Sequence, residues 1–310
     1  MKQYIILPDI TCDLSKEIRD YFGVVDYIKG HVHINGKSIT TSLDWDNISR
    51  KEFYNTLSNK KNEVNSAAAS PEEYYETFKK YIIEGYSILS MSISSKISAT
   101  YNISVLAANR IKEEFPNAEI YCLDTLRMSG SFGLLVAKAC ELQKQGLTFE
   151  EVCVWLEENK GRVHQMGPID DLTFVARRGQ ISKGKAIMGN LVGIKPMGDS
   201  NTDGYVSVLA KVKGIKKALM ATVEYVKKVA VDLENQYIFI MHSNREEYAN
   251  DLKEKFEMQN LCKKVFVSDV FSGCGTNIGP GMVCVYFFGD QVTTDLQKEK
   301  EALLSAIEQL

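Results

Sequence analysis

The chain has 310 residues, a formal net charge of −3, 45% hydrophobic and 25% charged residues. This length supports one large domain or two ordinary ones, with enough core to enclose a pocket. The slightly acidic balance argues against nucleic acid as the main partner, because no cationic excess is present to neutralise phosphates. No apolar run approaches the ~18 residues that predict a transmembrane helix, and "MKQYIILPDITCD" reaches Asp9 too early for a secretory signal.

In chain order, "QYIILPD" predicts a strand ending at Asp9 and "DLSKEIRDYFG" a helix capped by Asp13 and stopped by Gly23. "HVHINGKSI" predicts a hairpin around Asn35-Gly36. "SPEEYYETFKKYI" predicts a helix with Ser70 at the cap, Pro71 in the first turn and Glu73 closing a capping box. "GYSILSMSI" is a buried strand, and Tyr101, Val105, Ala108 and Ile111 recur at helical spacing in a segment running to about Glu114. "AEIYCLD" is a strand, and "SGSFGLLVAKACELQKQG" and "TFEEVCVWLEENKGR" are helices. This alternation predicts an α/β fold, with a mainly parallel sheet flanked by helices over residues 1–160.

The pattern changes near Gly161, and residues 161–290 are expected to form a second α/β domain. Its strands are "GYVSVLAKVKG", "QYIFIMH", "KKVFVSDV" and "GMVCVYFF", the last two bracketing a glycine-rich loop. Its helices are "IKKALMATVEYVKKVAVDL" and "SNREEYANDLKEKF", the latter with a capping box from Ser243 to Glu246. A final helix within residues 292–310 is expected to pack back on the N-terminal domain.

The seven cysteines form no C-x-x-C and are odd in number, which predicts reduced, buried thiols and a cytoplasmic protein rather than disulfides or zinc. The four histidines have no metal-ligand spacing. No P-loop, dinucleotide-binding glycine motif or G-x-S-x-G elbow is present, and Asp170-Asp171 reads as a cap rather than an acid/base pair. What does recur is a loop rich in small and hydroxyl residues: "NSAAASPEE", "SSKISATYN" and "SGCGTNIGPGM". The first two precede helices, whose free N–H groups can be capped by serine or offered to an anion. The residues therefore describe a binder better than a catalyst.

The order and spacing of these segments resemble the DegV family of bacterial fatty-acid-binding proteins. The resemblance is carried by "PDITCDL", "NSAAASPEEY", "SISSKISATYN", "CLDTLRMSGSFGLLV", "PIDDLTFVARRGQIS", "GNLVGIKPM", "DGYVSVLAKVKGIKKAL" and "GCGTNIGPG", which span nearly the whole chain. It implies two α/β domains with the ligand between them, a long-chain fatty acid in a buried tunnel, and no cofactor, metal or catalytic residue. It also implies a kinase subunit as partner, to which the bound acid is presented for acyl-phosphate formation in phospholipid metabolism, and leaves transient contact with a membrane surface open.

In the family's S-G-T-Y segment the serine holds the carboxylate, and the matching residues here are Ser98 and Ala99. Ser66 takes the threonine position of T-S-Q-P-S-P and Asn277 the histidine position of G-T-H-T-G-P-G. Ser95, Thr100, Thr276 and Gly279 are expected nearby, while Gln180 replaces the arginine of G-G-R-I-S, beside Arg177 and Arg178, in the region associated with kinase docking. Ala99 is harmless where φ is negative and strained where φ is positive. Asn277 can donate a hydrogen bond but cannot become cationic. These departures allow either a fatty acid in a more neutral head-group site or a different amphipathic lipid with no kinase partner. A serine-dependent enzyme would require a base near Ser98, and an interaction module would hold its ligand only structurally. Phe132, Leu135, Met128 and Ile194 are candidates for tunnel walls and equally for plain core.

Overall fold

A computed structural model describes residues 3–177 and 193–310. The N-terminal half runs β1 (Tyr4–Pro8), α1 (Lys16–Phe22), β2 (His31–Ile34), β3 (Lys37–Thr40), α2 (Arg50–Ser58), β4 (Val64–Ala67), α3 (Pro71–Ile83), β5 (Ser87–Ser92), α4 (Thr100–Glu114), β6 (Ile120–Asp124), α5 (Ser129–Lys144) and α6 (Phe149–Asn159). Its main sheet is parallel, in the order β1-β5-β6, with Ile6 opposite Leu89 and Leu89 opposite Tyr121. Every residue of β5 is buried, as a central strand covered on both faces requires. The two-residue period sorts its side chains. Leu89 and Met91 join Ile6 and Leu123 against α5, while Ile88 joins Ile5, Leu7 and Ile120 against α3 and α4. A small antiparallel sheet, β3-β2-β4, packs over α2.

The second half contains β7 (Val163–Met166), α7 (Thr173–Arg177), β8 (Ile194–Ser200), β9 (Val206–Lys213), α8 (Ile215–Val229), β10 (Tyr237–His242), α9 (Glu246–Met258), β11 (Lys264–Asp269), α10 (Ser272–Ile278), β12 (Val283–Phe288) and α11 (Gln297–Glu308). Its sheet has the order β11-β10-β12-β7, parallel between β10 and β11 and antiparallel elsewhere. The β8–β9 hairpin stands beside it.

Helix α5 joins the two halves. Its apolar face shares one core with β1 and β5 on one side and with Phe239, Met241 and Tyr286 on the other. The glycines of "SGSFG" allow this. A Cβ on Gly130 would lie 2.4 Å from the Tyr286 ring, and one on Gly133 would lie 2.4 Å from the Cys12 carbonyl.

Several elements differ from expectation. Asp13 does not cap α1. Ser15 occupies that position, and Asp13 is buried at φ 51°. Ser243 caps no helix, because its hydroxyl accepts the Met282 N–H at 2.8 Å and α9 starts without a side-chain cap. The glycine-rich stretch after β11 is a short helix, α10, rather than a loop. The C-terminal helix α11 packs on α8, with Leu303 and Ala306 buried against Ala218 and Leu219, not on the N-terminal half; its apolar stripe completes the second core. All seven cysteines are free.

One buried polar cluster holds the hairpin. His164 Nδ1 lies 2.8 Å from Asp199 Oδ2 and its Nε2 2.9 Å from the Asp290 carbonyl, while the Tyr225 hydroxyl donates to Asp199 at 3.0 Å. Burial disfavours the imidazolium, but Asp199 and the Asp290 carbonyl outweigh it and raise the His164 pKa.

Candidate functional site

The parallel sheet ends where its loops must turn, and in an open α/β sheet the crevice beyond the strand C-termini is the usual place for a ligand. Asp9 follows β1 there, and Ser94 to Ser98 follow β5. The chain after β5 closes a tight turn, with the Ile97 and Ser98 N–H groups donating to the Ser94 carbonyl at 3.1 and 3.2 Å. Ser98 Oγ then lies 2.7 Å from Thr100 Oγ1 and accepts the Thr100 N–H at 3.3 Å. One serine thus serves the helix start and still presents its hydroxyl to the adjacent space.

That space is a cavity of about 240 Å³, and all three hydroxyl-rich loops reach it. Ser66 and Ala67 come from the β4 segment, Ser98 and Thr100 from the start of α4, and Gly273, Cys274 and Asn277 from α10. Asn277 Nδ2 donates to Ser66 Oγ at 3.0 Å, joining the small N-terminal sheet to α10. Asp9 forms part of the wall. It is 2% exposed, and its carboxylate accepts the Thr11 N–H at 2.8 Å, the Thr11 hydroxyl, and the Ile93 N–H at 2.9 Å. Burial raises the Asp9 pKa, against the pull of these donors.

Asp13 organises the same region from behind. Its carboxylate accepts the Ser129 hydroxyl of α5 at 2.6 Å and the Phe271 N–H, which opens α10, at 2.9 Å. Burial pushes the Asp13 carboxyl up to about 8.

A second, apolar cavity of about 80 Å³ lies between the C-terminal sheet and the β8–β9 hairpin, lined by Ile169, Leu172, Val175, Met197, Val206, Val208 and Met282 among others. Met128 and Ile278 line both cavities. The polar space and the apolar space thus meet at a shared wall.

Of the residues singled out from sequence, Ser66, Ser98, Thr100 and Asn277 line the polar cavity. Ala99 does not. It is exposed, and its φ of −77° makes alanine unstrained there. Ser95 does not line the cavity, and its backbone N–H donates to Asp124 Oδ1 at 3.1 Å. Thr276 is buried with its hydroxyl donating to the Ser272 carbonyl at 2.9 Å. Gly279 ends α10 at φ 75°, where a Cβ would meet the Phe174 ring at 2.2 Å. Arg177 closes α7, while Arg178 and Gln180 lie outside the described residues. Of the tunnel candidates, Met128 lines both cavities, Phe132 and Leu135 are core residues on the buried face of α5, and Ile194 on β8 does not line the apolar cavity. Asp9, Thr11, Lys29 and Ile278 also line the polar cavity; Asp9 and Thr11 lie in "PDITCDL" and Ile278 in "GCGTNIGPG", but none was singled out as a site residue, and Lys29 lies in no motif.

No histidine lines the polar cavity among the described residues, so Ser98 has no imidazole base. No group of histidine, cysteine, aspartate or glutamate residues among the described residues is placed to hold a metal. No helix among them is long and apolar enough to cross a membrane.

Residues 4–290 match the family described as "Uncharacterised protein, DegV family". The chain belongs to the DegV family. A DegV domain-containing protein of Clostridium perfringens is 32% identical over 295 residues, covering 94% of this chain and 99% of that protein. A DegV family protein from Thermus thermophilus, solved for its fatty acid binding, superposes with a TM-score of 0.82 at 24% identity over 93% of this chain and 100% of that one. The fatty acid kinase B3 protein of Streptococcus pneumoniae, loaded with linoleic acid, gives 0.78 at 20% identity, with 93% and 100% covered. At such identities these structures establish the DegV fold of two α/β domains.

Proposed function

We propose that this DegV protein binds a long-chain fatty acid, with its carboxylate in the hydroxyl-lined cavity at Ser98 and its acyl chain running past Met128 and Ile278 into the apolar cavity. The observation that carries this reading is the shared wall: a polar chamber and an apolar chamber meeting at two apolar side chains match an amphiphile with a small head and a long tail. Ser98, Ser66 and Asn277 would donate to the carboxylate, with Thr100 holding the Ser98 hydroxyl in place. Hydrogen bonds to a charged acceptor are about twice as strong as neutral ones.

The tail supplies most of the gross affinity. At ~0.8 kcal/mol per buried methylene, about fourteen methylenes give on the order of 11 kcal/mol before ordering and association costs. The linoleic acid bound by the pneumococcal relative and the fatty acid binding of the Thermus protein support this ligand class for a chain of the same fold.

The protein's role in this reading is to hold and present the acid in the cytoplasm, not to transform it. A kinase subunit would be the partner, docking near Arg177, Arg178 and Gln180. The test is mass spectrometry of lipid extracted from the purified protein, with the native mass of the intact complex. A fatty acid at about one per chain is expected. A protein that is empty and takes up no added fatty acid would remove the proposed function and leave the fold standing.

A further inference from the structure

We propose that Lys29 supplies the positive charge that receives an anionic head group in the polar cavity, and so makes this site select an acid over a neutral amphiphile; this rests on the ligand reading above. Lys29 and Asp9 are the charged residues that line the cavity among the described residues. The other side-chain donors there, Ser66, Ser98, Thr100 and Asn277 among them, are all neutral. Among the described lining residues, an incoming carboxylate therefore meets one buried acid, Asp9, and one cation, Lys29.

The backbone fixes this lysine on both sides. The Ile28 N–H donates to the Pro8 carbonyl, and the Ile10 N–H donates to the Ile28 carbonyl, both at 2.9 Å, so the segment runs beside the end of β1 that carries Asp9. One residue further, the Gly30 N–H donates to Thr41 Oγ1 at 2.8 Å, and that hydroxyl donates back to the Gly30 carbonyl at 2.9 Å. Between these anchors Lys29 is exposed, and no carboxylate among the described residues pairs with it. Lys16, Lys79 and Lys195, by contrast, each have an acidic partner within 2.7 Å. An unpaired lysine at a cavity whose other polar side chains are hydroxyls, a thiol, an amide and the buried Asp9 carboxyl is placed to attract an anion and to do little for the fold.

The test compares dissociation constants for a long-chain fatty acid and for the fatty alcohol of the same length. Wild-type protein, Lys29→Met and Lys29→Arg are each measured at low and at physiological salt. Lys29→Met should weaken the acid about three- to tenfold and the alcohol less than about twofold, as expected for one partly solvated charge pair. It should also flatten the salt dependence of acid binding, and Lys29→Arg should restore most of the affinity. Acid affinity unchanged in Lys29→Met, or equal losses for acid and alcohol, would overturn the role of Lys29 while leaving the fatty-acid reading intact. A wild-type protein that binds neither ligand would overturn both, so the two failures are distinguishable.

Discussion

Replacing Ser98 by alanine should separate what this serine does for a ligand from what it does for the fold. Ser98 Oγ holds Thr100 twice, through the hydroxyl at 2.7 Å and the N–H at 3.3 Å. Thr100 is 5% exposed, so water reaches it poorly once that partner is gone. A buried hydroxyl or helix-start N–H left unpartnered costs about 1–3 kcal/mol, and the relaxed helix start recovers part of it. Unfolding stability should therefore fall by about 1–2 kcal/mol. In the complex the same oxygen would donate to a carboxylate, worth about 1.5–3 kcal/mol, so the dissociation constant should rise by roughly 10- to 150-fold. The assays are urea titration of the lipid-free protein and displacement of a fluorescent fatty acid from the loaded one. Thr100→Val serves as the control, since it should reproduce the stability loss with a smaller effect on the acid. Lowered stability with acid affinity within about twofold of wild type would refute the assignment, and Ser98 would then be only the closure of a turn.

Other outcomes follow from the packing and charges. Gly275→Ala would place a methyl 2.9 Å from Phe53 and 3.0 Å from the Tyr54 hydroxyl, so denaturant titration should show a loss of about 1–3 kcal/mol, as overpacking does. Ile278→Trp would fill the wall shared by the two cavities, and lipid extracted from this variant should be shorter-chained or absent while far-UV circular dichroism is retained. The His164 pKa is raised, because Asp199 and the Asp290 carbonyl outweigh its burial. Its stabilisation is therefore complete below the free imidazole value of about 6.5 and is lost as pH rises through the raised value. Unfolding free energies measured from pH 5 upward should show this decline in wild type and a flatter profile in His164→Gln.

Local signals in the sequence were strong wherever one residue type does one job. Ser70 with Glu73, Asn35 with Gly36, and Gly23 after α1 act within a few residues of themselves, and each does in the structure what its local chemistry predicts. The alternation of strands and helices carried the parallel sheet in the same way. Long-range roles were hidden. Asp13 has the sequence position of a helix cap, but it is occupied by Ser129 and Phe271, residues 116 and 258 positions away. Ser243 looked like the first residue of a capping box and is instead bound to Met282. The three hydroxyl-rich loops were individually visible, but their meeting depends on α10 packing against β4, which no spacing encodes. Lys29 carried no pattern at all, because a single lysine before a hairpin becomes informative only when a cavity is seen beside it.

The hydrogen bond from Asn277 to Ser66 crosses between residues 211 positions apart, and the core around α5 is likewise drawn from both halves of the chain. A ligand seated there touches groups that exist as a site only when both halves are in place. Its binding energy is therefore spent on their joint integrity rather than on either alone, and stabilisation grows as the logarithm of ligand concentration over the dissociation constant. A bound acid should therefore raise the unfolding midpoint of both halves together, in step with its concentration.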